Sequence, residues 1–273
     1  MNRWQLLDTK AHSQAGWQKF THYAFASQDV YCPILMAELT QTLPYYSLAF
    51  LPVSSTEPVK FQLVALLGLR PNRNVYLDKH GKWLAPYVPS YFRGYPFSLL
   101  PDEHGKAALA VDITSPLLHN PAQPEDTLLY QESGELTEAA GQILNFLTQR
   151  LQNQQVTQVL TDALQQAELI QPWTISWQPN SNDADPEKAK KQQNLGGFYQ
   201  IDEERLRSLS PETYQSLAKN SALGLAYAQL FSQARLQDLR YREHKALSDA
   251  QPTPSLDFDA LFGTKDDTLK FNF

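Results

Sequence analysis

The chain is short of the residues that most often announce chemistry. Its one cysteine, Cys32, excludes an intrachain disulfide and a multi-thiolate zinc site, and it fits a reducing compartment. Its 6 histidines are scattered, with no H-x-x-x-H, no H-E-x-x-H and no His-x-carboxylate pair, so no metal ligand set is expected. Neither G-x-G-x-x-G nor G-x-x-x-x-G-K-[ST] occurs, which argues against the common nucleotide chemistries, and no cofactor is expected. There is no G-x-S-x-G elbow; Ser216-Leu217-Ala218-Lys219 matches S-x-x-K only as a pattern on a helix surface, and Cys32 reads as a small core thiol. No catalytic residue is assigned, and the sequence leans away from an enzyme.

Long apolar runs are missing too: FQLVALLGL ends at Arg70, far short of the roughly 20 residues of a membrane helix. The amino-terminal MNRWQLLDTKAHSQAG lacks the apolar stretch and cleavage site of a signal peptide, so a soluble, cytoplasmic protein is expected. Positive charge is in the minority, with 23 Lys and Arg against 29 Asp and Glu, which argues against nucleic acid as a partner.

What the chain does have is rigid aromatic surface. Between Trp83 and Phe97 it gathers Trp83, Tyr87, Tyr91, Phe92, Tyr95 and Phe97 around Pro86, Pro89 and Pro96, with Arg93 in the middle. Proline fixes the backbone before folding and aromatics present large stiff faces, which suits a buried corner or a pre-shaped binding wall. As a corner, Arg93 would satisfy nearby carbonyls or a carboxylate. As a wall, Trp83, Tyr87, Tyr91, Arg93 and Tyr95 would line one concavity for a peptide or small organic ligand, with Arg93 pairing an anionic group.

The periodicity predicts an α+β fold, a mostly antiparallel sheet over about residues 45–115 packed against helices near 137–168 and 211–241. CPILMAELTQTLP reads as a short helix, and YYSLAFLPV and FQLVALLGLR as paired strands. NVYLD and KWLAPY flank a hairpin turn with Gly81 able to take positive φ, and PFSLL and ALAVDIT form another strand pair. In the helix near 137–168, Val156, Val159, Leu160, Ala163 and Leu164 recur at helical spacing. WTISWQ pairs with GGFYQID across a polar linker of about 179–194. Ser210-Pro211 opens a helix expected to run to about Tyr241 with an apolar centre, ALGLAYAQLF. Residues 1–244 read as a single domain and 245–273 as a loosely ordered tail, in which 256–262 is amphipathic enough to serve as a recognition segment.

The order of these signals resembles the bacterial SapC family over roughly residues 28–240. The resemblance is carried by CPILMAEL, YYSLAF, VALLGLRPNRNVYLDKHGKWLAPYVPSYFRGYPFSLL, LLYQESGELTEAAGQILNFL and LGGFYQIDEERLRSLSPETYQSLAKNSALGLAYAQLFS. The family name, taken from a protein linked to surface-layer formation, implies an envelope association as one reading, and the resemblance brings no catalytic residue.

One further candidate is GGFYQIDEERL, where Tyr199 would touch a ligand and Asp202, Glu203 or Glu204 a basic partner. The plainer reading is a strand passing into a helix capped by Asp202. Three functions follow: a non-catalytic binding or accessory protein, an enzyme assembled from distant residues such as Arg93, Tyr95, Tyr199 and a carboxylate, or an envelope component. Oligomeric state is not readable from the sequence.

Overall fold

The computed structural model describes residues 3–54, 58–178 and 193–248. The expectations for most of the 179–194 linker, for the tail beyond Ser248 and for the 256–262 segment lie outside these residues.

The fold is α+β, and every strand pairing among the described residues is antiparallel. The expected single sheet over 45–115 divides in two. β1 (Trp4–Leu6), β6 (Phe97–Pro101) and β7 (Ala107–Asp112) form a sheet in the order β1-β7-β6. A larger one runs β10-β11-β4-β5-β3, from β3 (Tyr31–Pro33), β4 (Leu48–Pro52), β5 (Phe61–Leu66), β10 (Ile170–Trp177) and β11 (Gln193–Ile201). The short strands β2 (Gly16–Trp17), β8 (Leu118–His119) and β9 (Thr127–Leu128) make a third. The paired strands 48–52 with 61–66, 97–101 with 107–112, and 170–177 with 193–201 form as expected.

Two local readings change. The helix expected from Cys32 begins later: Tyr31–Pro33 pairs with β5, and only a 3-10 turn at Met36–Glu38 and α1 (Leu39–Thr42) are helical. The 74–87 hairpin shrinks to one bridge between Leu77 and Trp83, around a turn where Gly81 has φ 77° and Asp78 Oδ1 accepts the amides of His80 and Lys82.

After α2 (Ser90–Arg93), α3 (Glu138–Gln166) is one helix of 29 residues, N-capped by Thr137, whose hydroxyl accepts the Ala140 amide. It spans two hydrophobic clusters. Ala140 and Leu147 pack with Trp17, Phe97 and Val111, while Leu160 and Leu164 pack with the large sheet's Phe50, Leu63 and Ile175. The proline-aromatic segment crosses the same seam, with Trp83 and Phe92 in the larger cluster and Phe97 in the smaller.

α4 (Glu203–Arg207) is capped by Asp202 and α5 (Pro211–Lys219) by Ser210, both as expected. The long helix expected from Pro211 breaks at Ser221, where φ is 70°, before α6 (Ala222–Ser232). α6 packs one side against the large sheet while Tyr227 and Phe231 stay exposed, and its Gln229 donates to the Leu48 carbonyl and accepts the Ile201 amide. A 3-10 turn then leads into α7 (Leu236–Ser248), which runs past the expected end of the domain. Ala246 and Leu247 pack on the core, and Arg73 donates to the Ala246 carbonyl at 2.7 Å.

Candidate functional site

The 83–97 segment is held from beneath by its own aromatics. Trp83 is only 6% exposed, and its indole N–H donates to Tyr46 Oη at 2.7 Å, while the Tyr46 hydroxyl donates to the Tyr87 carbonyl. The Trp83 ring also meets Phe92 at 5.1 Å and Tyr23 at 5.5 Å. Trp83, expected as part of an accessible wall, is buried instead, because its large apolar surface finds partners on the core side.

The next layer is a buried carboxylate. Glu38, 4% exposed, accepts the Tyr87 hydroxyl at 2.7 Å, the Ser90 amide at 2.9 Å, the Ser90 hydroxyl at 3.2 Å and the Leu35 amide at 2.9 Å. These four donors satisfy most of its lone-pair sites and tie the turn before α1 to the start of α2. Burial raises the Tyr87 phenol pKa, and the bond to Glu38 raises it further, so Tyr87 stays a neutral donor.

Two arginine–tyrosine stacks involve the segment. Arg93 lies 4.7 Å over the Tyr87 ring and donates from Nε and Nη2 to the Val88 carbonyl at 3.0 and 2.8 Å. Arg150, from α3, lies 5.1 Å over the Tyr91 ring. Unlike Arg93, it makes no hydrogen bond and no ion pair among the described residues, and its Nε is buried without a partner. Burial lowers the Arg150 pKa, against the raising influence of Tyr91 and Glu38; burial raises that of Tyr91, helped by Asp29. A guanidinium so placed has donors in hand for an oxyanion.

The remaining candidates are set apart. Tyr95 is half-buried and stacks on Phe25 at 3.9 Å. Tyr199 sits in the large sheet opposite Phe50, with its ring 4.7 Å from Phe61, and neither a ring contact nor a hydrogen bond joins it to the 83–97 segment. The contacts thus pair Arg93 with Tyr87 and Arg150 with Tyr91, while Glu38 binds Tyr87 and Ser90. The sequence signals for Glu38 and Arg150 were faint: an acid inside an apolar run at Glu38, and a lone cation on the glutamine-rich helix at Arg150.

The arrangement offers recognition chemistry. The Cys32 thiol is fully buried, and burial, helped by Glu38, raises its pKa well above the ordinary value, so it is a poor thiolate source. No group of three or more His, Cys, Asp or Glu among the described residues could hold a metal, and no described helix is long and apolar enough to cross a membrane.

A family model described as SapC matches residues 7–239. No curated protein and no solved structure matches the chain.

Proposed function

We propose that the chain, which belongs to the SapC family, is a binding or accessory protein without chemistry of its own. It holds an anionic group of a peptide or small organic ligand against the face formed by Tyr87, Tyr91, Arg93 and Arg150. The observation that carries this reading is Arg150: a partly buried guanidinium stacked on Tyr91, with a buried and unpartnered Nε. Leaving a charge in low dielectric without a partner costs several kcal/mol, roughly, and an incoming carboxylate offsets that cost with charge-assisted hydrogen bonds. The two tyrosine faces supply apolar contact at low conformational cost, and the prolines hold them in place before the ligand arrives.

Arg150→Met tests the reading, because methionine keeps the apolar stem and removes only the charge. With N-acetylphenylalanine as probe in calorimetric titrations, wild type binds and Arg150→Met loses about tenfold or more in affinity, the equivalent of ~1.4 kcal/mol or more. The uncharged N-acetylphenylalaninamide binds wild type more weakly than the acid does. Meanwhile Tm stays level or rises in Arg150→Met, since an unpaired buried charge has gone. A variant that binds as wild type does, or one that melts several degrees lower, overturns the assignment and makes Arg150 a structural residue.

A further inference from the structure

A second set of unpartnered cationic donors lies at the far end of the large sheet, where α7 crosses the end of β10 and the 68–73 loop. Glu243 is fully buried there and accepts the Leu69 amide at 2.6 Å and Arg70 Nε at 2.9 Å. It is the carboxylate that pairs with this group of arginines. The others meet neutral partners: Arg73 donates to the Ala246 carbonyl, Arg240 Nη2 donates to the Ser176 carbonyl at 2.6 Å, and Arg242 lies 4.7 Å over the Tyr76 ring. In a chain of net charge −6, this end concentrates positive charge against an apolar core.

Three nitrogen atoms here are buried and have no hydrogen-bond partner among the described residues: Arg70 Nη2, Arg240 Nε and His244 Nδ1. Their side chains lie near the end of β10. The Arg70 guanidinium lies 6.0 Å from the Trp177 ring centroid, the His244 ring meets it at 6.2 Å, and Arg240 is bonded to the carbonyl just before it. Buried polar atoms in folded proteins are nearly always satisfied, and three orphans on neighbouring side chains, two of them on permanent cations, mark a place for an acceptor.

We propose that Arg70, Arg240 and His244 form a binding site for a phosphate group. Each arginine already uses one arm on the protein, Arg70 on Glu243 and Arg240 on Ser176, so the donors left over come from three separate side chains. A tetrahedral oxyanion accepts from three directions, whereas a planar carboxylate is best held by one undivided guanidinium fork. His244 takes part with its proton on Nδ1. This site is independent of Arg150 and of the function proposed for that face.

The test is thermal melting of the full chain in inorganic phosphate, with sodium chloride and sodium acetate at matched ionic strength as controls. The expected result is a Tm that rises with the logarithm of phosphate concentration beyond both controls. Arg240→Gln moves that response to about tenfold higher phosphate, whereas Arg150→Met leaves it in place, which assigns the effect to this end of the molecule. A response to O-phosphoserine as well points to a phosphomonoester ligand, and one confined to inorganic phosphate points to the free ion. No phosphate response beyond the salt control, an equal response to acetate, or loss of the response in Arg150→Met overturns the proposal; the first two outcomes need no variant to fold.

Discussion

Asp112 and Glu38 are both buried carboxylates, yet their partners differ in kind. Glu38 is surrounded by neutral donors, whereas Asp112 accepts Arg3 Nε at 2.6 Å together with the Thr114 amide and hydroxyl at 3.0 and 2.7 Å. Burial raises the Asp112 pKa, but the bonds from Thr114 and Arg3 outweigh it and leave the carboxyl below its ordinary value. A carboxylate depressed in the folded state contributes stability above its unfolded pKa of about 4, and that contribution fades as pH falls through the folded value. Asp112→Asn is therefore expected to cost about 1–3 kcal/mol at pH 7, with the gap to wild type narrowing below about pH 4. Urea titrations at pH 7 and at pH 3.5 check this, and a gap that stays constant or widens in acid shows that the charge on Asp112 does not matter. The bond also fastens β1 to β7, the strand its own residues pair with.

The elements show where sequence pattern and buried face part company. On α3 the apolar positions Val156, Val159, Leu160, Ala163 and Leu164 suggest one face, but Val156 and Val159 are 56% and 63% exposed. The face that packs is Thr157, Leu160, Thr161 and Leu164. Threonine serves there because its hydroxyl is satisfied within the structure: Thr157 Oγ1 donates to the Asn153 carbonyl and accepts the Met36 amide, and Thr161 Oγ1 donates to the Thr157 carbonyl. Hydropathy counts threonine as polar and so turns the face toward the valines. Val159→Lys is expected to change stability by no more than about 0.5 kcal/mol, and Leu160→Ala to cost about 2–5 kcal/mol. Chemical denaturation of the two variants measures both; comparable losses mean that the helix is rotated from this orientation. The break at Ser221 was equally hidden, because neither proline nor glycine marks it; the Asn220 side chain accepts the Ala222 amide and restarts the helix without either. The caps Asp202 and Ser210 and the three longer strand pairs were legible, since each rests on residues close in sequence.

At the scale of the molecule, the candidate site lies where both crossings of the seam meet: α3 and the proline-aromatic segment each join the two hydrophobic clusters. Tyr87, Tyr91 and Arg93 could be read together because they share seven residues of chain, but Glu38 and Arg150 arrive from segments whose proximity only folding decides. The approach of Arg150 runs past Gly94. A Cβ placed there would stand 2.7 Å from Leu147 Cδ2, and Leu147 precedes Arg150 by about one helical turn. The missing side chain thus lets α3 come close enough for Arg150 to cover Tyr91. Gly94→Ala should cost about 1–3 kcal/mol by overpacking a buried contact and should also weaken capture of N-acetylphenylalanine, although it touches no donor of the site. In a Leu147→Ala background, which opens room for the added methyl, the same substitution should cost far less, giving a coupling of about 0.5–3 kcal/mol in a double-mutant cycle. Strict additivity of the two substitutions, or a Gly94→Ala protein that binds the probe as wild type does, would show that the glycine–leucine contact does not set the position of Arg150.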